Sequence, residues 1–123
     1  MDIELPYSNI YYEAPIVYIE YRKEVELGFG EIRQIVSVAE QLSGYKPYVV
    51  LSDVRHGISI TPMGKKIAAD AGTAPLHRGT AVLLRNSMLR LAANFFGTNN
   101  PYPFKAFTDK QKAIAWLLTL PLN

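Results

Sequence analysis

The sequence predicts an α/β domain on a mostly parallel five-stranded sheet with an N-terminal antiparallel hairpin, in the order β-β-α-β-α-β-α-β-α. Three observations carry this. Runs rich in β-branched and aromatic residues alternate with segments of helical periodicity, the pattern of repeated β-α-β units joined by right-handed crossovers. The run Ile16-Val17-Tyr18-Ile19-Glu20-Tyr21 is apolar on both pleat faces, as a strand covered on both sides must be. Capping residues stand where the helical patterns begin and end.

Taken in order, Asn9 to Glu13 and Ile16 to Tyr21 form the hairpin, with Ala14-Pro15 as its turn, since proline cannot donate to a central ladder. Gly28-Phe29-Gly30 is a flexible bend into the first helix, where Ile32, Ile35, Val36, Ala39 and Leu42 recur at helical spacing before Ser43-Gly44 closes it. Tyr48 to Asp53 is a short apolar strand after Pro47. Thr61 caps the second helix with Pro62 in its first turn, and Met63, Ile67 and Ala71 fall on one inward stripe. Gly79 to Leu84 is the next buried strand. Asn86-Ser87 caps a third helix over Met88 to Phe96, which Gly97 ends. Tyr102 to Phe107 is the last strand, and Thr108-Asp109-Lys110-Gln111 reads as a capping box for the final helix.

A chain of 123 residues suits one domain, residues 1–123, with a core that needs no metal or crosslink. With no cysteine, disulfides, thiolate zinc sites, iron–sulfur clusters and thiol nucleophiles are excluded. Met1 to Pro6 has neither the basic start nor the apolar run of a signal peptide, and no apolar segment approaches the ~20 residues that span a bilayer, so the expectation is a cytoplasmic protein with no membrane span. Charge is uneven. Residues 1–40 hold eight acids against three bases, a net −5, and residues 41–123 hold three acids against ten bases, a net +7. That asymmetry suits self-association or an acidic partner, whereas Lys65-Lys66 is too sparse a basic cluster for nucleic acid.

The junction after Tyr48-Val49-Val50-Leu51-Ser52-Asp53-Val54 is where an open α/β sheet usually places its working surface. Asp53, Arg55 and His56 form the compact ionisable cluster there, but no nucleophile or second base accompanies them, and no catalytic residue is assigned. Two histidines, His56 and His77, with no acidic cluster near either, do not make a metal site, and no cofactor is expected. Gly28-Phe29-Gly30 lacks the third glycine of a dinucleotide loop and the Lys-Ser/Thr of a phosphate loop. Phe95-Phe96, Phe104, Phe107 and Trp116 are core or interface.

This element order, with its Asp53–Gly64 junction, resembles the STAS domain (sulphate transporter and anti-sigma-factor antagonist), and more closely the SpoIIAA-like single-domain bacterial proteins. The resemblance rests on Tyr48 to Val54, on Ile60-Thr61-Pro62-Met63-Gly64, and on Ala81 to Ser87, Asn94-Phe95-Phe96 and Phe107-Thr108-Asp109…Trp116-Leu117. It covers about the whole chain. Antagonist members carry Asp-Ser-Ser-Gly at the helix start, where a partner kinase phosphorylates a serine. Here Thr61-Pro62-Met63 stands in place of Asp-Ser-Ser, so the usual acceptor is missing, and Ser59 and Thr61 are the nearby hydroxyls. The resemblance implies a non-enzymatic regulatory module that docks a protein partner through residues 53–66, with Asp53, Arg55, His56, Ser59, Thr61, Met63 and Lys65 at the contact. The alternative is a small apolar, lipid-like ligand between sheet and helices, in a pocket lined by Leu89, Ala93, Phe96 and Phe107. A homodimer through the hairpin or an exposed strand edge fits the same pattern.

Overall fold

The computed structural model describes residues 2–90 and 101–123, the side chain of Ala71 excepted. Its sheet takes in β1 (Asp2–Leu5), β2 (Ser8–Glu13), β3 (Ile16–Tyr21), β5 (Tyr48–Asp53), β7 (His77–Leu83) and β8 (Phe104–Phe107), which lie side by side in that order. β1–β2 and β2–β3 pair antiparallel, and β3–β5, β5–β7 and β7–β8 pair parallel. The α/β class is therefore as expected, with one strand more than the five predicted, because β1 folds back on β2. A parallel ribbon of β4 (Val25–Leu27) and β6 (Ile58–Ile60) stands beside the main sheet. The helices are α1 (Phe29–Leu42), α2 (Pro62–Ala68) and α3 (Lys110–Leu117), with a 3-10 turn at Ala71–Thr73 and a helical stretch at 87–90. The remainder of the predicted third helix lies outside the described residues.

Alternation along the strands divides the core in two. Val17, Ile19, Tyr21, Tyr48 and Val50 face α1, which contributes Ile35, Val38 and Ala39. Ile16, Tyr18, Val49, Leu51, Ala81, Leu83 and Phe107 face the other way, against Ala113 and Leu117 of α3. The two-sided apolar pattern of β3 is satisfied by this double cover. Each fully buried Leu, Ile or Val contributes roughly 1.5–3 kcal/mol of transfer free energy, so these strands anchor the fold.

Local chemistry sets the helix ends. The Gly28 N–H donates to Glu31 Oε1 at 2.7 Å and starts α1 earlier than its apolar spacing indicates. α1 closes with Gly44 at φ +66°, where the Gly44 N–H donates to the Gln41 carbonyl (3.1 Å) and the Tyr45 N–H to the Glu40 carbonyl (2.8 Å). Asn86 Oδ1 accepts from the Leu89 N–H at 3.0 Å, as the predicted cap requires. At α3 the cap is Asp109 rather than Thr108, because its carboxylate accepts from both Gln111 (2.8 Å) and Lys112 (3.3 Å) N–H groups.

α2 is the tightest junction. Thr61 Oγ1 accepts from the Gly64 N–H at 3.0 Å, and the Thr61 N–H donates to the Leu27 carbonyl at 3.0 Å. Gly64 is buried, and a Cβ there would stand 2.7 Å from the Leu27 carbonyl oxygen and 2.9 Å from Ile60 Cγ2. Gly64→Ala is expected to cost about 1–3 kcal/mol through overpacking against backbone. Gly30→Ala, on an open face of α1 with nothing within 4 Å, is expected to gain up to about 1 kcal/mol from helix propensity. Thermal or denaturant melts of the two variants check this pair; equal melting points would contradict the assigned contacts.

Candidate functional site

The segment after β5 is ordered by one ion pair. Arg55 grips Asp53 through Nε to Oδ1 (3.0 Å) and Nη2 to Oδ2 (2.7 Å), while its backbone N–H donates to Oδ1 at 3.1 Å. Burial works to raise the Asp53 carboxyl, but the Arg55 hydrogen bonds and charge outweigh it and hold the group below the ordinary carboxylate value. A carboxylate so committed is a poor proton acceptor. His56 is exposed and makes no hydrogen bond to Asp53, so the two are not brought together as an acid–base pair.

The other residues singled out in this segment are dispersed. Ser59 is exposed on β6, opposite Glu26 of β4. Thr61 spends its side chain on the α2 cap. Lys65 is exposed on α2. Met63 does not lie on an inward stripe: it is 55% exposed, and α2 ends at Ala68, before Ala71 can extend that stripe. Phe29, at the start of α1, is also exposed, and its ring carries the Arg33 guanidinium 5.6 Å from the centroid.

An apolar concave feature lies under α1 and α2. A cavity of about 360 Å³ opens between these helices and the sheet. Its wall includes Ile32 and Val36 of α1, Val50 of β5, Val54, Ile58 and Ile60 of the junction, Ile67 of α2 and Val82 of β7. Of these, all but Val50 stay half-buried, so the apolar surface is left without full packing. A volume and lining of this kind suit a small apolar ligand.

His77 marks the cavity's polar end. Its ring lies between Tyr48 (centroids 5.8 Å, planes 17° apart) and Tyr102 (4.1 Å, 54°). Nε2 is 2.9 Å from the Gly79 carbonyl and 2.6 Å from Thr80 Oγ1. Simple alternation would set His77 and Thr80 on opposite faces. The register against β5 shifts between the Tyr48–His77 and Val50–Thr80 pairs, three residues of β7 spanning two of β5, and this irregularity turns both toward the cavity. The sequence pattern begins the strand at Gly79 and places His77 in the connection before it. A bulge leaves no trace in periodicity, and the tyrosines that enclose the ring are remote in sequence, so no signal marks this placement.

The pocket expected from Leu89, Ala93, Phe96 and Phe107 is not assembled from the described residues. Phe107 lies on the opposite sheet face, against Trp116 (centroids 5.7 Å) and α3. Leu89 is exposed, and Ala93 and Phe96 lie outside the described residues. Among the described residues no three His, Asp or Glu side chains converge as metal ligands. Four of the eight acids of residues 1–40 gather in one place: Asp2, Glu4, Glu13 and Glu20 rim a depression around Tyr11, on the β1–β3 face away from the cavity.

Burial, helped by the Arg78 charge, pushes His77 down from 6.5 to about 4 against the opposing Gly79 hydrogen bond. Between those values the unfolded chain binds a proton that the folded one refuses. Stability from this group is intact above pH 6.5 and is lost as the pH falls toward 4, with a slope of up to about 1.4 kcal/mol per pH unit. His77→Gln is expected to flatten that share of the profile in denaturant melts. Parallel wild-type and variant profiles from pH 7 to 4 would refute it.

The family comparisons follow the same architecture. A sequence family described as a domain of unknown function (DUF7793) matches residues 10–120. Among solved structures, the crystal structure of an uncharacterized protein of the DUF3478 family with a SpoIIAA-like fold, from Shewanella loihica PV-4, matches with a TM-score of 0.59. That match covers 89% of this chain and 91% of the other at 20% identity, a level that shows the fold alone. A search of curated proteins finds no match. The SpoIIAA-like fold implied by the resemblance is thus shown. Because the sequence match runs from the second strand through the last helix, the chain belongs to the DUF7793 family.

Proposed function

We propose that this protein is a non-enzymatic, STAS-like binding module whose ligand is a small apolar molecule held between the sheet and α1/α2. One observation carries the reading: an approximately 360 Å³ cavity whose mostly aliphatic wall is left largely half-buried among the described residues. The 53–66 junction belongs to the same reading, because Val54, Ile58 and Ile60 are part of the wall. The non-enzymatic part is supported by Asp53, which is engaged by Arg55 and not paired with His56.

The test is native mass spectrometry of the purified protein, followed by thermal shift against a panel of apolar compounds. The expected outcome is a small adduct lost on denaturation, or stabilisation by panel members. Val82→Phe, which fills the cavity from its floor, is expected to abolish both. No adduct and no shift across the panel would refute the reading.

A second reading, docking of a protein partner, is favoured by the exposure of Phe29 (48%) and Met63 (55%) at the starts of α1 and α2. These helix starts adjoin, since a Cβ on Gly28 would lie 3.7 Å from Thr61 Oγ1. Two exposed apolar anchors on neighbouring helices suit the centre of a contact. Met63→Asp is expected to weaken a co-purifying partner about tenfold or more with the melting temperature unchanged. A partner retained by Met63→Asp and by Phe29→Asp would rule this surface out.

A further inference from the structure

We propose that the cavity selects neutral molecules bearing a hydrogen-bond-accepting oxygen, which the Thr80 hydroxyl receives beside the His77 ring. This rests on the ligand-binding reading above and specifies the class of ligand.

The polar inventory of the lining carries the inference. A carbonyl can only accept, so the 2.9 Å contact to Gly79 places the ring proton of His77 on Nε2. Thr80 Oγ1, at 2.6 Å from the same nitrogen, then shares that proton as an acceptor. Its own hydrogen has no acceptor among the described residues, and Thr80 is 8% exposed in a wall that is otherwise mostly aliphatic. A buried hydroxyl with a donor to spare favours a ligand oxygen.

Several of the other polar lining groups are committed, Tyr21 and Ser52 to each other among them. The Tyr102 hydroxyl donates to the Ala68 carbonyl at 3.3 Å, and Asp70 Oδ1 accepts from the Gly72 N–H at 2.8 Å. No Lys or Arg is among the described lining residues. An anionic ligand therefore meets no counter-charge, and Asp70 supplies one of the same sign. Burial keeps the His77 ring uncharged at neutral pH, so it does not fill that role. A cationic ligand finds only Asp70, which is exposed to water and already bonded. Transferring an unpaired charge into such a space is strongly unfavourable, whereas a neutral chain with one oxygen satisfies both the wall and the hydroxyl.

The experiment compares octanol, octanoate and octylammonium at neutral pH on the wild-type protein. Binding is followed by titration of the methyl NMR signals of Val50, Ile67 and Val82. Octanol is expected to move these signals and to bind at least about tenfold more tightly than either ion. An ion that matches octanol at the same methyls overturns the selectivity and leaves the cavity reading standing. Failure of all three to move them removes both. Thr80→Val keeps the shape and deletes the donor. It is expected to weaken octanol about tenfold while leaving toluene binding unchanged. Full octanol affinity in the folded variant overturns the assigned position of the oxygen.

Discussion

Burial of the central parallel strands on both faces is the constraint on which the rest of the structure depends. β3, β5 and β7 present aliphatic or aromatic side chains to either side, and helices must cover both. The two covers differ in quality. On the α3 side, Val49, Ala81, Leu83, Ala113 and Leu117 are wholly inaccessible, and small residues on strand and helix allow close approach. On the α1 side, α2 is only seven residues long, and Gly64 seats it hard against the Leu27 carbonyl of the β4–β6 ribbon. Fixed there, the helix leaves Ile67 and the wall around it incompletely packed. Good packing at one junction thus produces poor packing beside it.

Much of the fold was legible because long elements repeat their signal. α1 shows several turns of apolar periodicity, and β3 and β5 are unbroken apolar runs. The additional elements were illegible for the opposite reason. β4 and β6 are three-residue strands that pair only with each other, and β1 is a four-residue edge strand; none is long enough to establish a period. The Asp53–Arg55 pair is legible as an adjacency, yet its bidentate geometry decides that the carboxylate braces the loop rather than performing acid–base work.

The candidate site shows what sequence patterning leaves out. Phe107 is apolar, aromatic and in a strand, which predicts burial correctly. Whether it meets the cavity or α3 depends on register, and a shift of one residue exchanges the faces. The same consideration hid His77 and Thr80. Their shared orientation comes from an irregularity in the β5–β7 pairing, a property of two strands together rather than of either alone. Tyr48 and Tyr102, more than fifty residues apart in sequence, enclose the ring only once that pairing is made.

The sheet also keeps the acidic side chains of its own first strands away from the cavity. Asp2, Glu4, Glu13, Glu20 and Asp53 all belong to the face that α3 partly covers, as the registers of β1 through β5 require. Arg22, bonded to Glu4 at 2.8 Å, and Arg55, bonded to Asp53, offset part of that charge locally. On the opposite face the same strands contribute Ile19, Tyr21, Tyr48, Val50 and Ser52, none of which is charged at neutral pH; burial raises the two tyrosine hydroxyls still further from ionisation. Because successive side chains alternate, the acids of β1, β2, β3 and β5 fall on one face and leave the other free to build an apolar wall. The acidity of one sheet face and the apolar character of the other are therefore two consequences of one alternating pattern.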